Sequence, residues 1–139
     1  MASLSVEARN AMIDGVTALI DSGSGPGQML LYNAEMPADA DQVVNGVLMA
    51  TFILNKPSFL PASQGAAVMV IDPPVEAPLL GSSTSPYYIA RFTDSDGNPV
   101  ADEYAGSTGE PIGLIGNGQS ATPVLTVTEA AFTSDAGPF

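Results

Sequence analysis

The chain contains no cysteine, no histidine and no tryptophan, and its only basic residues are Arg9, Lys56 and Arg91. Each absence excludes something. Without cysteine there is neither a disulfide nor a thiolate metal site, and without histidine the commonest general base and the commonest metal ligand are both missing. Serine and threonine are plentiful, but with Lys56 as the sole lysine no hydroxyl nucleophile has an evident base. Carboxylates do come close together at Asp102, Glu103 and Glu110. Glycoside hydrolysis, however, also needs aromatic and hydrogen-bonding groups around such a pair, so these acids read as a solvated strand end. The expectation is a protein that is not an enzyme and that holds no cofactor and no metal.

Fifteen acidic residues against three basic ones give a net charge of −12, which repels phosphate backbones and makes nucleic acid an unsuitable partner. No apolar run approaches the ~18 residues of a membrane span, so no membrane partner is expected. Residues Met1–Ser5 carry neither a basic stretch nor an apolar core of the signal-peptide kind, which predicts a chain made in the cytoplasm and left unprocessed there.

What is present is apolar or small. Hydrophobic residues make up 45% of the chain and charged ones only 13%, so much of the surface must be Ala, Gly, Ser, Thr and Pro, a composition suited to packing against other proteins. At 139 residues the chain suits a single domain burying roughly two-thirds of its extended surface.

The clearest local signal is Tyr87–Tyr104, YYIARFTDSDGNPVADEY. Tyr88, Ala90 and Phe92 alternate with Tyr87, Ile89 and Arg91 at strand spacing. Asp94-Ser95-Asp96-Gly97-Asn98 gathers turn formers, and Val100–Tyr104 returns antiparallel, giving a hairpin. The same turn has the opening of a calcium loop, Asp-x-Asp, but its glycine comes two residues early and Ala105 stands where a bidentate Glu belongs. A plain turn is the better reading. Arg91, mid-strand among Asp94, Asp102 and Glu103, serves either as an internal brace for the hairpin or as an anchor to a neighbouring subunit.

From Ser5 to Asp21, Val6, Met12, Ile13, Val16, Leu19 and Ile20 recur at helical spacing. Ser3 or Ser5 can cap this helix, Glu7 suits its positive end, and Gly23, Gly25 and Gly27 end it. Gly15 within it suggests close packing on a sheet. Gln28–Tyr32 reads as a strand, and 38–46 as a polar connection with room for one helical turn. Val47–Leu54 reads as a strand buried on both faces at the centre of the domain. Residues 55–65 form a loop and Ala66–Ile71 a buried strand. Asp72–Pro86 is too Pro-rich for regular structure. Gly106–Gly109 forms a turn, Ile112–Ile115 a strand, and Ala121–Thr128 an alternating strand. The result is a mainly β fold, an antiparallel β-sandwich or jelly roll with one N-terminal α-helix. Its single domain divides into a helix at 5–21, a sandwich at 28–132 with a long loop at 72–86, and a tail at 133–139.

Taken together, ARNAMIDGVTALIDSGSGPGQMLLYNAEMP (Ala8–Pro37), GVLMATFIL, NKPSFLPASQGAAV, YIARFTDSDGNPV and VLTVTEAAF resemble, in order and spacing, the head decoration, or cement, proteins of tailed bacteriophages. The insert Asp72–Pro86 is where the chain departs from them. The resemblance implies a small acidic β-sandwich virion protein on the outer surface of the capsid. It would bind the major capsid protein and its own copies, as dimers or trimers at symmetry axes, and lock neighbouring shell subunits. It transfers no catalytic residue. Phe59, Leu60, Leu79 and Leu80, apolar without an assigned core position, join Arg91 and the N-terminal segment as candidate contacts. The alternative is a receptor- or glycan-binding β module of a phage fibre or spike, for which four tyrosines and no tryptophan make a weak sugar platform.

Overall fold

The computed structural model describes residues 3–80, 87–106, 112–117 and 124–133. Among them are one helix, α1 (Val6–Ile20), and eight strands: β1 (Gln28–Asn33), β2 (Val47–Ile53), β3 (Ala66–Val68), β4 (Glu76–Pro78), β5 (Ile89–Thr93), β6 (Pro99–Gly106), β7 (Ile112–Asn117) and β8 (Val124–Thr133). The strands form one sheet in the order β2-β1-β5-β6-β7-β8-β3, with β4 also paired to β8. The protein is mainly β with an N-terminal helix, as its sequence predicts.

Ser5 caps α1, its hydroxyl accepting from the Ala8 N–H at 3.0 Å. The helix turns Ile13, Thr17 and Ile20 inward and leaves Val6, Met12 and Leu19 exposed. The buried stripe is therefore narrower than the sequence suggests, because a helix laid across the end of a sheet touches it along one line only. Gly15 points into open space, with nothing within 4 Å of an added Cβ, so the close packing predicted for it is absent. Close approach occurs instead at Gly27, where a Cβ would sit 2.5 Å from Ile20 Cγ2 and 2.8 Å from the Thr93 carbonyl oxygen. That contact fixes α1 over the end of the sheet where β1 starts and β5 finishes. Three side chains on α1 and its C-cap hold the loop between β2 and β3: Asn10 Oδ1 accepts from Gly65 N–H at 2.8 Å, Asp14 Oδ1 from Ala62 N–H at 2.8 Å, and the Asp21 carboxylate from Ser58 N–H at 3.1 Å.

All strand pairs are antiparallel except β6 and β7, which run parallel over Ala105↔Ile112 and Gly106↔Gly113. β7 thus begins level with the end of β6 and continues beyond it. The sheet curls until its edges meet: β4 lies against β2, and Leu80 N–H donates to the Met49 carbonyl at 2.7 Å. β4 ends at Pro78, and proline has no N–H to donate to a ladder there. Inside the curl lies one core, to which every strand contributes and which Ile13 and Ile20 of α1 close. Phe59, Phe92 and Phe132 pack edge-on or tilted against one another at its helix end, with ring centroids 5.8 Å (Phe59–Phe92), 5.0 Å (Phe59–Phe132) and 4.8 Å (Phe92–Phe132) apart.

Several expectations change. β2 is not central but a sheet edge, with Val47, Leu48 and Ile53 exposed. A continuous apolar run does not distinguish an edge from a centre, because strand order is set by long-range pairing. The strand buried on both faces is β5: Ala90 and Phe92 enter the core, while Ile89 lies under Ala34 and Val44 of the 34–46 segment. That segment holds a single turn, Gln42 N–H to the Asp39 carbonyl, within the polar connection expected there. The stretch read as irregular from Asp72 contains β4, and 81–86 lie outside the described residues. The strand expected over Ala66–Ile71 is regular only to Val68, followed by a bridge from Met69 to Phe59. Thr133, assigned to a tail, belongs to β8. The turn expected at 107–109, residues 118–123 and the remainder of the tail, 134–139, also fall outside the described residues.

Candidate interaction surface

α1 covers one end of the curled sheet. The other end, where β1 finishes and β2 and β5 begin, has an apolar cavity of about 330 Å³. Its walls are Leu31 of β1, Met49 of β2, Leu114 of β7 and Leu125 of β8, with Leu79 just after β4 and Tyr88 just before β5. Exposed apolar groups crowd this same end: Val47, Leu48, Leu80, Tyr87, Tyr88 and Tyr104. Pairing explains the crowding. Leu48 faces Tyr32, Tyr32 faces Ile89 and Ile89 faces Tyr104, so one row across four strands carries large side chains on the same outer face. The 34–46 segment covers Ile89 in the middle of the row and leaves Leu48 and Tyr104 exposed on either side.

Arg91 holds that segment down. Its Nε and Nη2 donate to Asp102 Oδ1 and Oδ2 at 2.8 and 2.9 Å, and its Nη1 donates to the Gln42 carbonyl at 2.6 Å. Arg91 is 8% exposed, and the hydrogen bond with Asp102 raises its pKa above the ordinary arginine value, against the opposing effect of burial. A cleft of about 530 Å³ runs between this segment and Tyr87, lined among others by Asn33, Glu35, Gln42 and Asn45.

At the far tip of the β5–β6 hairpin, Asp94 Oδ1 accepts from the Asp96 and Asn98 backbone N–H groups and Oδ2 from the Asn98 side chain, each at 2.9 Å. These bonds, the Asn98 side chain first, hold the Asp94 carboxyl below its ordinary pKa. Gly97 adopts φ +87°, the left-handed conformation that glycine supplies most readily. The turn's own donors occupy the oxygens that a calcium loop would turn toward an ion. Among the described residues no three acidic side chains converge as a metal site.

The five candidate contacts separate. Leu79 lines the open cavity and Leu80, 65% exposed, stands on its rim. Leu60, 54% exposed, lies at the helix end within the loop bonded to α1. Phe59 is only 4% exposed and packs on Phe92 and Phe132, so it is a core residue and has almost no surface to offer a partner. Arg91 is engaged internally, which is the bracing role. Sequence reasoning missed Leu48 and the three tyrosines as a surface. The signal was present in the hairpin, since antiparallel return from Asn98 brings Tyr104 back beside Tyr87 and Tyr88.

Comparison with known proteins returned no match: no family model, no curated protein and no solved structure is similar to the chain.

Proposed function

We propose that this protein is a non-enzymatic head decoration protein that binds the outer surface of a phage capsid and stabilises contacts between major capsid protein subunits. The observation that carries the reading is the collection of exposed aliphatic and tyrosine side chains at one end of an otherwise self-contained acidic domain. Patches of that kind mark association sites, and tyrosine is enriched at interfaces because it joins a large apolar body to a polar tip. The −12 charge keeps such a protein off packaged DNA. We further read the curled sheet as a sandwich of the jelly-roll kind: β2-β1-β5-β6 form one leaf, β7 and β8 with β3 and β4 form the other, and the short parallel β6–β7 pairing joins them. A protein that binds only the assembled lattice shifts equilibrium toward it by mass action, and self-association at symmetry axes would multiply that effect.

The test is stoichiometry. Quantitative mass spectrometry of purified particles is expected to give a copy number equal to, or a simple fraction of, that of the major shell protein. A few copies per particle would instead indicate a fibre or tail component, and absence would refute a virion role. The second reading, a glycan-binding module, is favoured by the polar cleft of about 530 Å³ beside Tyr87. Binding on a glycan array would select it.

A further inference from the structure

We infer that the open end of the curled sheet is the docking face and that its occupant is a protein surface presenting an aliphatic or aromatic side chain within a basic rim. This rests on the decoration reading and specifies the face and the chemistry of the contact.

The apolar part follows from the cavity between Leu79, Tyr88, Leu114 and Leu125, which is wide enough at about 330 Å³ to admit one large side chain. Leu48 and Tyr104 flank it on the outer face. Charge identifies the partner. The 34–46 segment beside this face brings Glu35, Asp39 and Asp41. With Asp102 that makes four carboxylates against one guanidinium, Arg91, which is already bonded to Asp102.

The other two cations are elsewhere. Arg9 lies on α1, and Lys56 Nζ donates to the Gly23 and Gly25 carbonyls after α1 at 2.7 and 3.3 Å. No other Lys or Arg exists in the chain, so beyond the neutralised Arg91–Asp102 pair Glu35, Asp39 and Asp41 leave this side of the protein negative. A second copy would meet the same charge on itself. Nucleic acid and anionic lipid are repelled for the same reason. A lysine- or arginine-rimmed protein surface is attracted, with an encounter rate and affinity that fall as salt rises. In this orientation α1 points away from the shell.

The experiment binds purified protein to heads that lack it and measures retention by sedimentation at low and high salt. Three variants accompany the wild type: Leu48→Asp on the docking face, the exposed charge reversal Glu35→Lys/Asp41→Lys, and Leu60→Asp at the helix end. Wild type and Leu60→Asp are expected to bind alike. Leu48→Asp, on the flank of the cavity, should lose about tenfold or more. The charge reversal, which touches no core residue, should weaken binding and flatten its salt dependence, so the inference stays testable if Leu48→Asp misfolds. Wild-type binding with both face variants unaffected, or with Leu60→Asp alone defective, overturns the docking face while leaving head binding intact. Salt-insensitive binding overturns the basic partner. A wild-type dimer dissolved by Leu48→Asp would make a second copy the occupant and overturn the inference. Failure of wild type to bind refutes the decoration reading and the inference with it.

Discussion

Replacing Arg91 by methionine tests whether the 34–46 segment is held by charge. Both partners of the ion pair are nearly dry, with side chains 9% and 5% exposed for Arg91 and Asp102. The substitution keeps an apolar stem of similar length but removes three donated hydrogen bonds and leaves the Asp102 carboxylate buried without its counter-charge. Breaking one side of a buried pair costs about 3–5 kcal/mol, out of a total stability of about 5–15 kcal/mol for a domain. At this chain length the loss corresponds to a fall in Tm of about 10–20 °C. Denaturant and thermal unfolding measure it, and hydrogen exchange localises it, because amides in 38–46 should exchange faster once the Gln42 carbonyl is released. The double variant Arg91→Met/Asp102→Leu removes the stranded charge as well and should recover much of the loss. A single-variant cost below about 1 kcal/mol, or a double variant no better than the single, would refute the argument that the pair's cost of disruption lies in the unpaired carboxylate.

The same glycine-to-alanine change should have opposite signs at two positions. Gly15→Ala, exposed in mid-helix, should stabilise by about 1 kcal/mol, and Gly27→Ala, crowded by Ile20 and Thr93, should destabilise by about 1–3 kcal/mol; chemical denaturation compares them directly. Phe59→Ala should cost about 3–5 kcal/mol, and a near-neutral result would return Phe59 to the surface. The lowered pKa of Asp94 means that its contribution is present above the ordinary aspartate value of about 3.9 and is lost as pH falls through the lower folded value. Asp94→Ala should therefore flatten the acid limb of the stability curve, and an unchanged limb would show that the turn does not depend on that carboxylate.

Local chemistry is readable along the chain wherever a short-range rule suffices. A cap at Ser3 or Ser5, the α1 span, the hairpin about Asp94–Asn98 and every strand except β4 follow from capping oxygens, helical and alternating periodicities, and turn formers acting over a few residues. The net charge and the missing histidine and cysteine likewise limit the chemistry open to the chain, since composition does not depend on how the chain folds. The tertiary structure decided what depends on distant partners. It made β2 an edge and β5 the doubly covered strand, because β1 pairs with β5 across more than fifty intervening residues. It drew Phe59 out of a proline-flanked loop into the core by offering it Phe92 and Phe132, and it drew β4 from a proline-rich stretch by giving it the free edge of β8. It also set Leu48 and three tyrosines at one end, away from Arg9 and Lys56. Periodicity records which side of an element is apolar, but only the register between strands determines whether that side meets the core, a covering loop or solvent.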